Sequence, residues 1–281
     1  MPTVGELLYS SARRLEAITD TPRLDAEILL ARALNMPRAR LLASLHESVS
    51  TDAFEHMVQR RLNAEPIAYI LGEWEFYGLA LQIEPPVLVP RPETEHLVST
   101  VVNAVGKRGS RVLEIGTGSG CVSVAIATHA PNCQLVATDV RLEYVQLARR
   151  NAERHEVDDR IAFRYGDLFE GLGESDWPFD IICANPPYVA DSEWDTLSPV
   201  IRLHEDPGAL LGGADGLDVV HRLVAETRDF LKPRGMLAME IGSGHFDTLH
   251  RSLDSLGYEH IQPVRDLAGI NRVITARLPA A

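Results

Sequence analysis

Residues 181–188, Ile-Ile-Cys-Ala-Asn-Pro-Pro-Tyr, combine a buried strand with groups that can bind a planar amino group. The first four residues are apolar and predict a strand covered on both faces, and the two prolines stop that strand at Asn185. Asn185 offers an amide oxygen and Tyr188 an aromatic ring. Between them, Pro186 and Pro187 offer carbonyls. This set suits the binding of an NH2 group, although a polar turn that merely ends a strand would use the same residue types.

A second candidate site, residues 114–120 (Glu-Ile-Gly-Thr-Gly-Ser-Gly), joins a predicted strand to a predicted helix. Its glycines permit a tight turn and a close approach of a ligand to the helix N-terminus. The spacing is G-x-G-x-G, whereas a dinucleotide-binding fold shows G-x-G-x-x-G around a pyrophosphate. The loop therefore predicts a cofactor without phosphates. The residues expected to bind it are Gly116, Thr117, Gly118, Ser119 and Gly120.

The next two predicted strands also end in groups that suit a ligand. Asp139 ends the second strand, where its carboxylate can accept hydrogen bonds from both hydroxyls of a ribose. Asp167 follows the third strand and can bind an adenine amino group, with Leu168 and Phe169 flanking the ring. Each signal is weak alone, because an aspartate after a strand is often only a helix cap. With Asn185, however, four consecutive strands carry such groups at the edge where doubly wound sheets bind ligands.

A mostly parallel sheet is needed to bring these groups together, and the second half of the chain has the pattern of one. Predicted strands alternate with helices, which places helices on both faces of the sheet. The strands are expected at 111–115, 134–139, 161–165, 179–184, 236–241, 258–263 and 272–276. The helices are expected at 94–105, 119–130, 142–155, 216–231 and 246–256. The last two strands should form an antiparallel hairpin at the sheet edge.

Two smaller segments precede this main domain, which is expected to span residues 91–281. Residues 1–66 carry apolar residues at helical spacing and predict a bundle of four or five helices. Helix starts are expected at Pro22 and Pro37, because proline is favoured in the first turn. Residues 67–90 have aromatic and alternating apolar positions, which predict a β-hairpin that links the two domains.

Composition limits the class of protein. The chain has 281 residues, of which 45% are hydrophobic, and it contains no run of about 18 uncharged apolar residues, which indicates a soluble globular protein without a membrane partner. Its first residues lack the pattern of a signal peptide, so a cytoplasmic location is expected. The formal net charge of -13 argues against a protein that wraps phosphates. The histidine and cysteine spacings do not indicate a metal site.

The chain closely resembles S-adenosylmethionine-dependent methyltransferases of the seven-stranded, Rossmann-like class I type. Within them it is most similar to the HemK/PrmC family, which methylates the side-chain amide of glutamine. The stretches that carry the resemblance cover nearly the whole chain: residues 22–30 (Pro-Arg-Leu-Asp-Ala-Glu-Ile-Leu-Leu), 65–72, 90–95 (Pro-Arg-Pro-Glu-Thr-Glu), 116–120, 185–188, 213–218 and 265–269 (Arg-Asp-Leu-Ala-Gly). The sequence departs from the family at Leu168, where tryptophan is frequent, and at residues 204–207.

The resemblance implies S-adenosylmethionine as methyl donor and class I peptide chain release factors as protein substrate, methylated at the glutamine of their Gly-Gly-Gln motif. The helical domain would bind that partner, and no direct nucleic-acid binding is expected. As catalytic groups we expect the Asn185 side-chain oxygen and the Pro186 carbonyl, each accepting one N–H of the substrate amide, and Tyr188, packed against the amide plane. Pro187 completes the substrate site, and Asn185 is also expected to contact the cofactor.

Three other functions are compatible with parts of this pattern. A sister family methylates a glutamine of a large-subunit ribosomal protein and shares Asn-Pro-Pro-Tyr, but it differs in the tail and in the N-terminal region. Adenine-N6 DNA methyltransferases share the motif too, and the net charge argues against them because it would repel a duplex. A non-catalytic protein that kept the fold is disfavoured by the intact glycine loop, Asp139 and Asn185.

Overall fold

The computed structural model describes residues 1–50, 52–107 and 109–280. The chain divides into two compact units, of which the first contains residues 1–73, 84–86 and 196–205 and the second the remainder. Within the described ranges, no helix has the length and apolar character needed to cross a bilayer. In the same ranges, no cluster of three or more His, Cys, Asp or Glu side chains is placed to hold a metal ion.

The helices and strands follow one another in the predicted order except for two short helices, α5 and α9, which were not predicted. The helices are α1 (Val4–Leu15), α2 (Pro22–Ala33), α3 (Arg38–Ala43), α4 (Asp52–Leu62), α5 (Ile67–Leu71), α6 (Glu95–Ala104), α7 (Cys121–His129), α8 (Leu142–Arg154), α9 (Pro199–Arg202), α10 (Asp218–Phe230) and α11 (Phe246–Ser255). The strands are β1 (Glu73–Phe76), β2 (Leu79–Gln82), β3 (Ser110–Ile115), β4 (Cys133–Asp139), β5 (Ile161–Tyr165), β6 (Phe179–Ala184), β7 (Leu231–Glu240), β8 (Glu259–Arg265) and β9 (Asn271–Arg277).

Local capping signals explain where the first helices begin. The Thr3 hydroxyl accepts a hydrogen bond from the Glu6 N–H at 3.3 Å, and the Glu6 carboxylate accepts one from the Thr3 N–H at 2.8 Å, so that the two residues cap α1 reciprocally. Helix α2 begins with Pro22, and α3 directly follows Pro37. Both predicted proline starts are therefore confirmed.

A buried ion pair joins two elements of the first unit. Arg61 Nε, on α4, lies 2.7 Å from Asp25 Oδ2, on α2, and each side chain is only 7% exposed. Arg61 also donates to the main-chain carbonyl of Glu65 at 3.0 Å. The pair thus connects two of the stretches that carry the family resemblance, residues 22–30 and 65–72.

Residues 67–71 form helix α5 and not the beginning of the predicted hairpin. Pro66 is the N-cap of this helix, and Gly72 ends it with a φ of 73°. Four successive residues of α5 are buried, a pattern that a strand with alternating faces would not show. The hairpin itself is confirmed for β1 and β2. Its two turn residues, Tyr77 and Gly78, have the positive φ angles that a two-residue hairpin turn requires.

The second unit is built on a seven-stranded sheet with the order β5-β4-β3-β6-β7-β9-β8. Strands β3 to β7 pair in parallel, and β9 is antiparallel to both of its neighbours, which confirms the predicted terminal hairpin. Strand β7 begins at Leu231, earlier than predicted, because it pairs with Phe179 before a register shift. Five parallel strands consequently end at one edge of the sheet.

An apolar core fixes this sheet against its helices. Leu113 of β3, Ile182 of β6 and Leu237 of β7 are completely buried in one cluster. Leu223 of α10 and Leu253 of α11 belong to the same cluster. The strand ends that carry the candidate site therefore project from a rigid support.

Asn151 on α8 ties the β1–β2 hairpin to the glycine loop within the second unit. Its side-chain oxygen accepts a hydrogen bond from the Gln82 N–H at 2.7 Å, and its NH2 donates to the Gln82 carbonyl at 2.9 Å and to the Ser119 carbonyl at 2.8 Å. The hairpin is held from a second side by Glu95, which accepts a hydrogen bond from the Tyr77 N–H at 2.9 Å. The hairpin is thus part of the support of the candidate site.

Candidate active site

A cavity of about 530 Å³ lies at the carboxyl edge of the sheet in the second unit. This volume falls within the range of small-molecule sites. The cavity is lined by residues that follow β3, β4, β5 and β6, as the sequence predicts. The predicted site residues that line it are Gly116, Thr117, Gly118, Ser119, Asp139, Asp167, Leu168, Asn185, Pro186 and Pro187. Gly120, Phe169 and Tyr188 do not belong to this lining.

The glycine loop takes its shape from β4. The N–H groups of Gly116 and Thr117 both donate to the Thr138 carbonyl at 2.9 Å. Gly116 has a φ of 74°, and a Cβ there would meet no atom of the described residues within 4 Å, so a ligand can approach the backbone closely. Gly120 has a different role, because a Cβ on it would lie 2.9 Å from the Cα of Ala148. It permits the close packing of α7 on α8 and does not reach the cavity.

Asp139 is buried at the end of β4, and both of its carboxylate oxygens accept backbone hydrogen bonds. Gly118 N–H donates to Oδ2 at 2.8 Å, and Arg141 N–H donates to Oδ1 at 2.9 Å. A carboxylate has roughly four acceptor positions, so each oxygen keeps one for a ligand hydroxyl. Burial raises the pKa of Asp139, and the two backbone N–H groups oppose that rise. The geometry therefore fits the predicted ribose contact.

The residues after β5 only partly match the prediction. The Asp167 carboxylate lies 2.7 Å from Arg222 of α10 in a partly exposed ion pair. Leu168 lines the cavity with a φ of 49°, and its carbonyl accepts a hydrogen bond from the Thr138 hydroxyl at 3.1 Å. Phe169 departs from the prediction, because its ring is buried in the core and stacks on Phe230 at 4.5 Å. It therefore supports the loop from beneath.

Asn185 reaches the cavity with one end of its amide already bound. Its Nδ2 donates to the Thr94 hydroxyl at 3.2 Å, and no described residue donates to its Oδ1. Tyr188 does not line the cavity, and its packing against the substrate amide stays a prediction. Its hydroxyl donates to Oε1 of Glu240 at 3.1 Å, and burial together with this carboxylate holds the pKa of Tyr188 well above its usual range. The ring thus anchors the Asn-Pro-Pro-Tyr loop to β7.

Residues 212–218 support the same loop from another direction. The Gly212 N–H donates to the Val189 carbonyl at 2.9 Å. A Cβ on Gly212 would lie 2.8 Å from the Pro187 carbonyl oxygen, and a Cβ on Gly216 would lie 2.4 Å from that of Tyr188. Glycine is therefore required at both positions by the close approach of two backbone segments. The family-like stretch 213–218 includes Gly216, but its spacing does not show which segment of the chain lies against it.

The cavity also has a buried aspartate that was not predicted from the sequence as a site residue. Asp206, which is 5% exposed, accepts hydrogen bonds from the Arg141 guanidinium at 3.1 Å and the Tyr144 hydroxyl at 2.9 Å. It also caps the following turn by accepting from the Gly208 N–H at 2.9 Å. Residues 204–207 are one of the places where the sequence departs from the family pattern. Asp206 fixes the turn that follows it to α8 beside the cavity.

Glu114 also lines the cavity, although the sequence reasoning gave it no role. Its Oε2 accepts hydrogen bonds from the Thr117 hydroxyl at 2.7 Å and the Ser123 N–H at 3.1 Å. Burial raises the pKa of Glu114 to about 8, against the effect of these hydrogen bonds. Glu114 therefore holds the glycine loop from inside and stays largely protonated at neutral pH.

The raised pKa of Glu114 predicts a pH-dependent loss of stability. The unfolded chain releases the Glu114 proton near pH 4.5, while the folded chain keeps it until about pH 8. Folding stability from this group is therefore complete below pH 4.5 and falls as the pH rises toward 8, by at most about 1.4 kcal/mol per pH unit. Glu114→Gln should remove this slope. Urea unfolding of the wild type and of Glu114→Gln at pH 5 and pH 8 measures the loss of stability. If both proteins lose the same stability between these pH values, the raised pKa of Glu114 is contradicted.

Comparison with known proteins agrees with this arrangement. The PrmC N-terminal domain family matches residues 6–72, and the methyltransferase small domain family matches residues 92–202. A solved methyltransferase from Pyrococcus furiosus superposes with a TM-score of 0.56 at 23% identity, covering 80% of this chain and 99% of that chain. The structural likeness bears on the fold alone.

Curated relatives match over their whole length. The release factor glutamine methyltransferase of Rhodopirellula baltica is 40% identical over 292 residues, covering 97% of this chain and 98% of that protein. The protein with the same name from Koribacter versatilis is 36% identical over 284 residues, covering 99% of this chain and 100% of that protein. With both matched domains present and the Asn-Pro-Pro-Tyr loop placed at the cavity, this chain is a methyltransferase that belongs to the HemK/PrmC family of release factor glutamine methyltransferases.

Proposed function

We propose that this enzyme transfers the methyl group of S-adenosylmethionine to the side-chain amide nitrogen, N5, of the glutamine in the Gly-Gly-Gln motif of class I peptide chain release factors. The observation that carries the proposal is the state of Asn185. Its NH2 is bound to Thr94, and its Oδ1 is left to accept an N–H from a ligand in the cavity. Full-length relatives that are named for this reaction support the same substrate.

The residues around the cavity fit S-adenosylmethionine. The glycine loop lets a ligand without phosphates approach the backbone at Gly116, and Asp139 keeps acceptor positions for two ribose hydroxyls. Asp167 and Leu168 follow β5, which lies next to β4 in the sheet, and they would border the adenine. Asn185 follows β6, on the other side of β3, so the acceptor site and the adenosine site lie on opposite sides of the glycine loop. The bound cofactor supplies an electrophilic methyl group on its sulfonium.

The task of the protein is to make a weak nucleophile react. The lone pair of an amide nitrogen is delocalised into its carbonyl, and positive charge grows on that nitrogen during transfer. Asn185 Oδ1 and the Pro186 carbonyl would each accept one N–H of the glutamine, which orients the nitrogen and stabilises the charge. We assign no general base, because the methylated amide loses its extra proton readily to water. Tyr188 keeps these acceptors in place through its hydrogen bond to Glu240.

The ribose contact of Asp139 predicts weaker cofactor binding when its charge is removed. Asp139→Asn keeps the shape but replaces one acceptor oxygen by a donor, so the dissociation constant for S-adenosylmethionine should rise at least about tenfold. Titration calorimetry measures this change. Asp180→Asn is a matched control, because Asp180 binds Arg111 N–H and Lys232 at 2.8 Å each, away from the cavity lining. Equal affinity of both variants would exclude the proposed contact.

Transfer of labelled methyl from S-adenosylmethionine tests the substrate. Three acceptors are compared with the purified enzyme: a class I release factor, a large-subunit ribosomal protein and duplex DNA. Label on the release factor, lost in its Gln→Ala variant, is the expected result. Label on the ribosomal protein or on DNA alone would replace the proposed substrate by one of the alternatives, and label on none would favour the non-catalytic one.

A further inference from the structure

We propose that Glu240 and Thr94 are positioning residues that fix the orientation of the Asn185 side-chain amide. This inference rests on the proposed function, because it concerns the acceptor oxygen that binds the substrate glutamine. The three residues lie on different parts of the second unit. Thr94 precedes α6, Asn185 follows β6, and Glu240 ends β7.

The register of the sheet brings Asn185 and Glu240 together. Strands β6 and β7 are parallel neighbours, and Ala184 is paired with Met239. The next residues along the two strands, Asn185 and Glu240, therefore project side by side from the same edge, at the spacing of adjacent strands, about 4.8 Å. Glu240, at the end of β7, is thus placed beside Asn185, the residue that follows β6.

Glu240 is 1% exposed, and two hydroxyl groups converge on its carboxylate. Tyr188 donates to Oε1 at 3.1 Å, and the Thr94 hydroxyl forms a second hydrogen bond with the carboxylate. Oε2 has no partner within the part of the chain that the structure describes. Burial raises the pKa of Glu240, and the hydrogen bonds from Thr94 and Tyr188 oppose that rise because they stabilise the charged form.

The single hydroxyl proton of Thr94 then determines the orientation of the Asn185 side-chain amide. Thr94 is 2% exposed, and its hydroxyl has a single proton. When Glu240 is ionised, its carboxylate only accepts, so this proton is directed to Glu240 and the Thr94 oxygen presents a lone pair to Asn185. A lone pair binds only the NH2 end of the Asn185 amide, in agreement with the 3.2 Å distance from Nδ2 to the Thr94 hydroxyl. The Oδ1 end is consequently the one left for the substrate.

Without such a device, an asparagine amide can rotate by half a turn at almost no steric cost, since its oxygen and NH2 have nearly the same shape. A rotated Asn185 would present an NH2 to the NH2 of the glutamine, and two donors cannot bind each other. The chain Glu240–Thr94–Asn185 excludes this non-productive state. Breaking this series of hydrogen bonds should therefore lower the turnover number much more than the affinity for S-adenosylmethionine.

Three substitutions separate this role from a merely structural one. In Glu240→Gln, the new NH2 can donate to Thr94, which frees the Thr94 proton to face Asn185 and permits the rotated amide. Thr94→Val keeps the shape and removes the hydroxyl. Both variants should lower kcat on the release factor by about 10-fold to 100-fold, with little change in the affinity for S-adenosylmethionine. Thr94→Ser, which keeps the hydroxyl, should restore most of the turnover.

Steady-state kinetics with the full-length enzyme and a release factor, together with calorimetric cofactor binding, measure these effects. Thr94→Val with wild-type kcat would overturn the inference. So would equal losses of turnover in Thr94→Val and Thr94→Ser. If Glu240→Gln fails to fold, the pair of Thr94 variants still decides the question. A wild-type enzyme that leaves the release factor unmethylated would instead remove the proposed function on which the inference rests.

Discussion

Asn185→Ala is expected to lower turnover of the release factor about 100-fold while cofactor affinity falls much less. The variant loses the side-chain oxygen that accepts an N–H of the substrate, and one preorganised acceptor of this kind contributes about 3 kcal/mol to the transition state. The Pro186 carbonyl remains, so some activity should persist. The loss is expected in kcat, because this acceptor stabilises the transition state, in which positive charge develops on the nitrogen, more than the bound substrate.

Single-turnover methyl transfer and cofactor calorimetry on the same preparation separate the two effects. Asn103→Ala is the matched control, because Asn103 is an exposed asparagine of α6 that lies outside the cavity lining. It should behave as the wild type in both assays. A wild-type rate for Asn185→Ala would remove this residue from the site, and a large parallel loss of cofactor affinity would assign it to cofactor binding.

Asp25→Ala is expected to destabilise the protein by about 3–5 kcal/mol, the largest effect on folding expected in the first unit. The substitution leaves the Arg61 guanidinium with no carboxylate at 2.7 Å, although that side chain is only 7% exposed. A buried charge that loses its carboxylate partner is poorly compensated for its removal from water, even though Arg61 keeps its hydrogen bond to the Glu65 carbonyl. Replacement of both charges, by Asp25→Leu with Arg61→Met, should recover most of the loss.

Urea unfolding measures these free energies. Glu16→Ala is the control, because Glu16 forms an exposed ion pair with Arg13 in which the side chains are 57% and 66% exposed. Surface pairs of this kind contribute about 0–1 kcal/mol. If Asp25→Ala costs no more than Glu16→Ala, the buried pair is not a main support of the helical unit.

The elements that local patterns specify were predictable. The strand-helix alternation, the starts at Pro22 and Pro37 and the terminal hairpin follow from periodicity and from proline chemistry, which act over a few residues. The arrangement of the site also followed, since parallel strands must end at a common edge. Residues 67–70 misled the prediction, because continuous burial in a short helix resembles a buried strand until its partners are known.

The roles of single side chains were less predictable, because they depend on distant partners. Phe169 and Tyr188 are aromatic residues beside ligand-type groups, yet one stacks on Phe230 and the other is bound to Glu240. Nothing in the local sequence distinguishes a ring that faces a ligand from one that faces the core. The series of hydrogen bonds from Glu240 through Thr94 to Asn185 joins residues that are far apart in the sequence, and it became visible only when the sheet register was known.

The most direct test of the central claim is peptide mass spectrometry of a release factor after reaction with this enzyme and S-adenosylmethionine. One methyl group on the side-chain nitrogen of the Gly-Gly-Gln glutamine is expected. It should be strongly reduced with Asn185→Ala and unaffected by Asn103→Ala. A methyl group on any other residue of the release factor, or none with the wild-type enzyme, would contradict the assignment of Asn185 and Pro186 as acceptors for a glutamine amide.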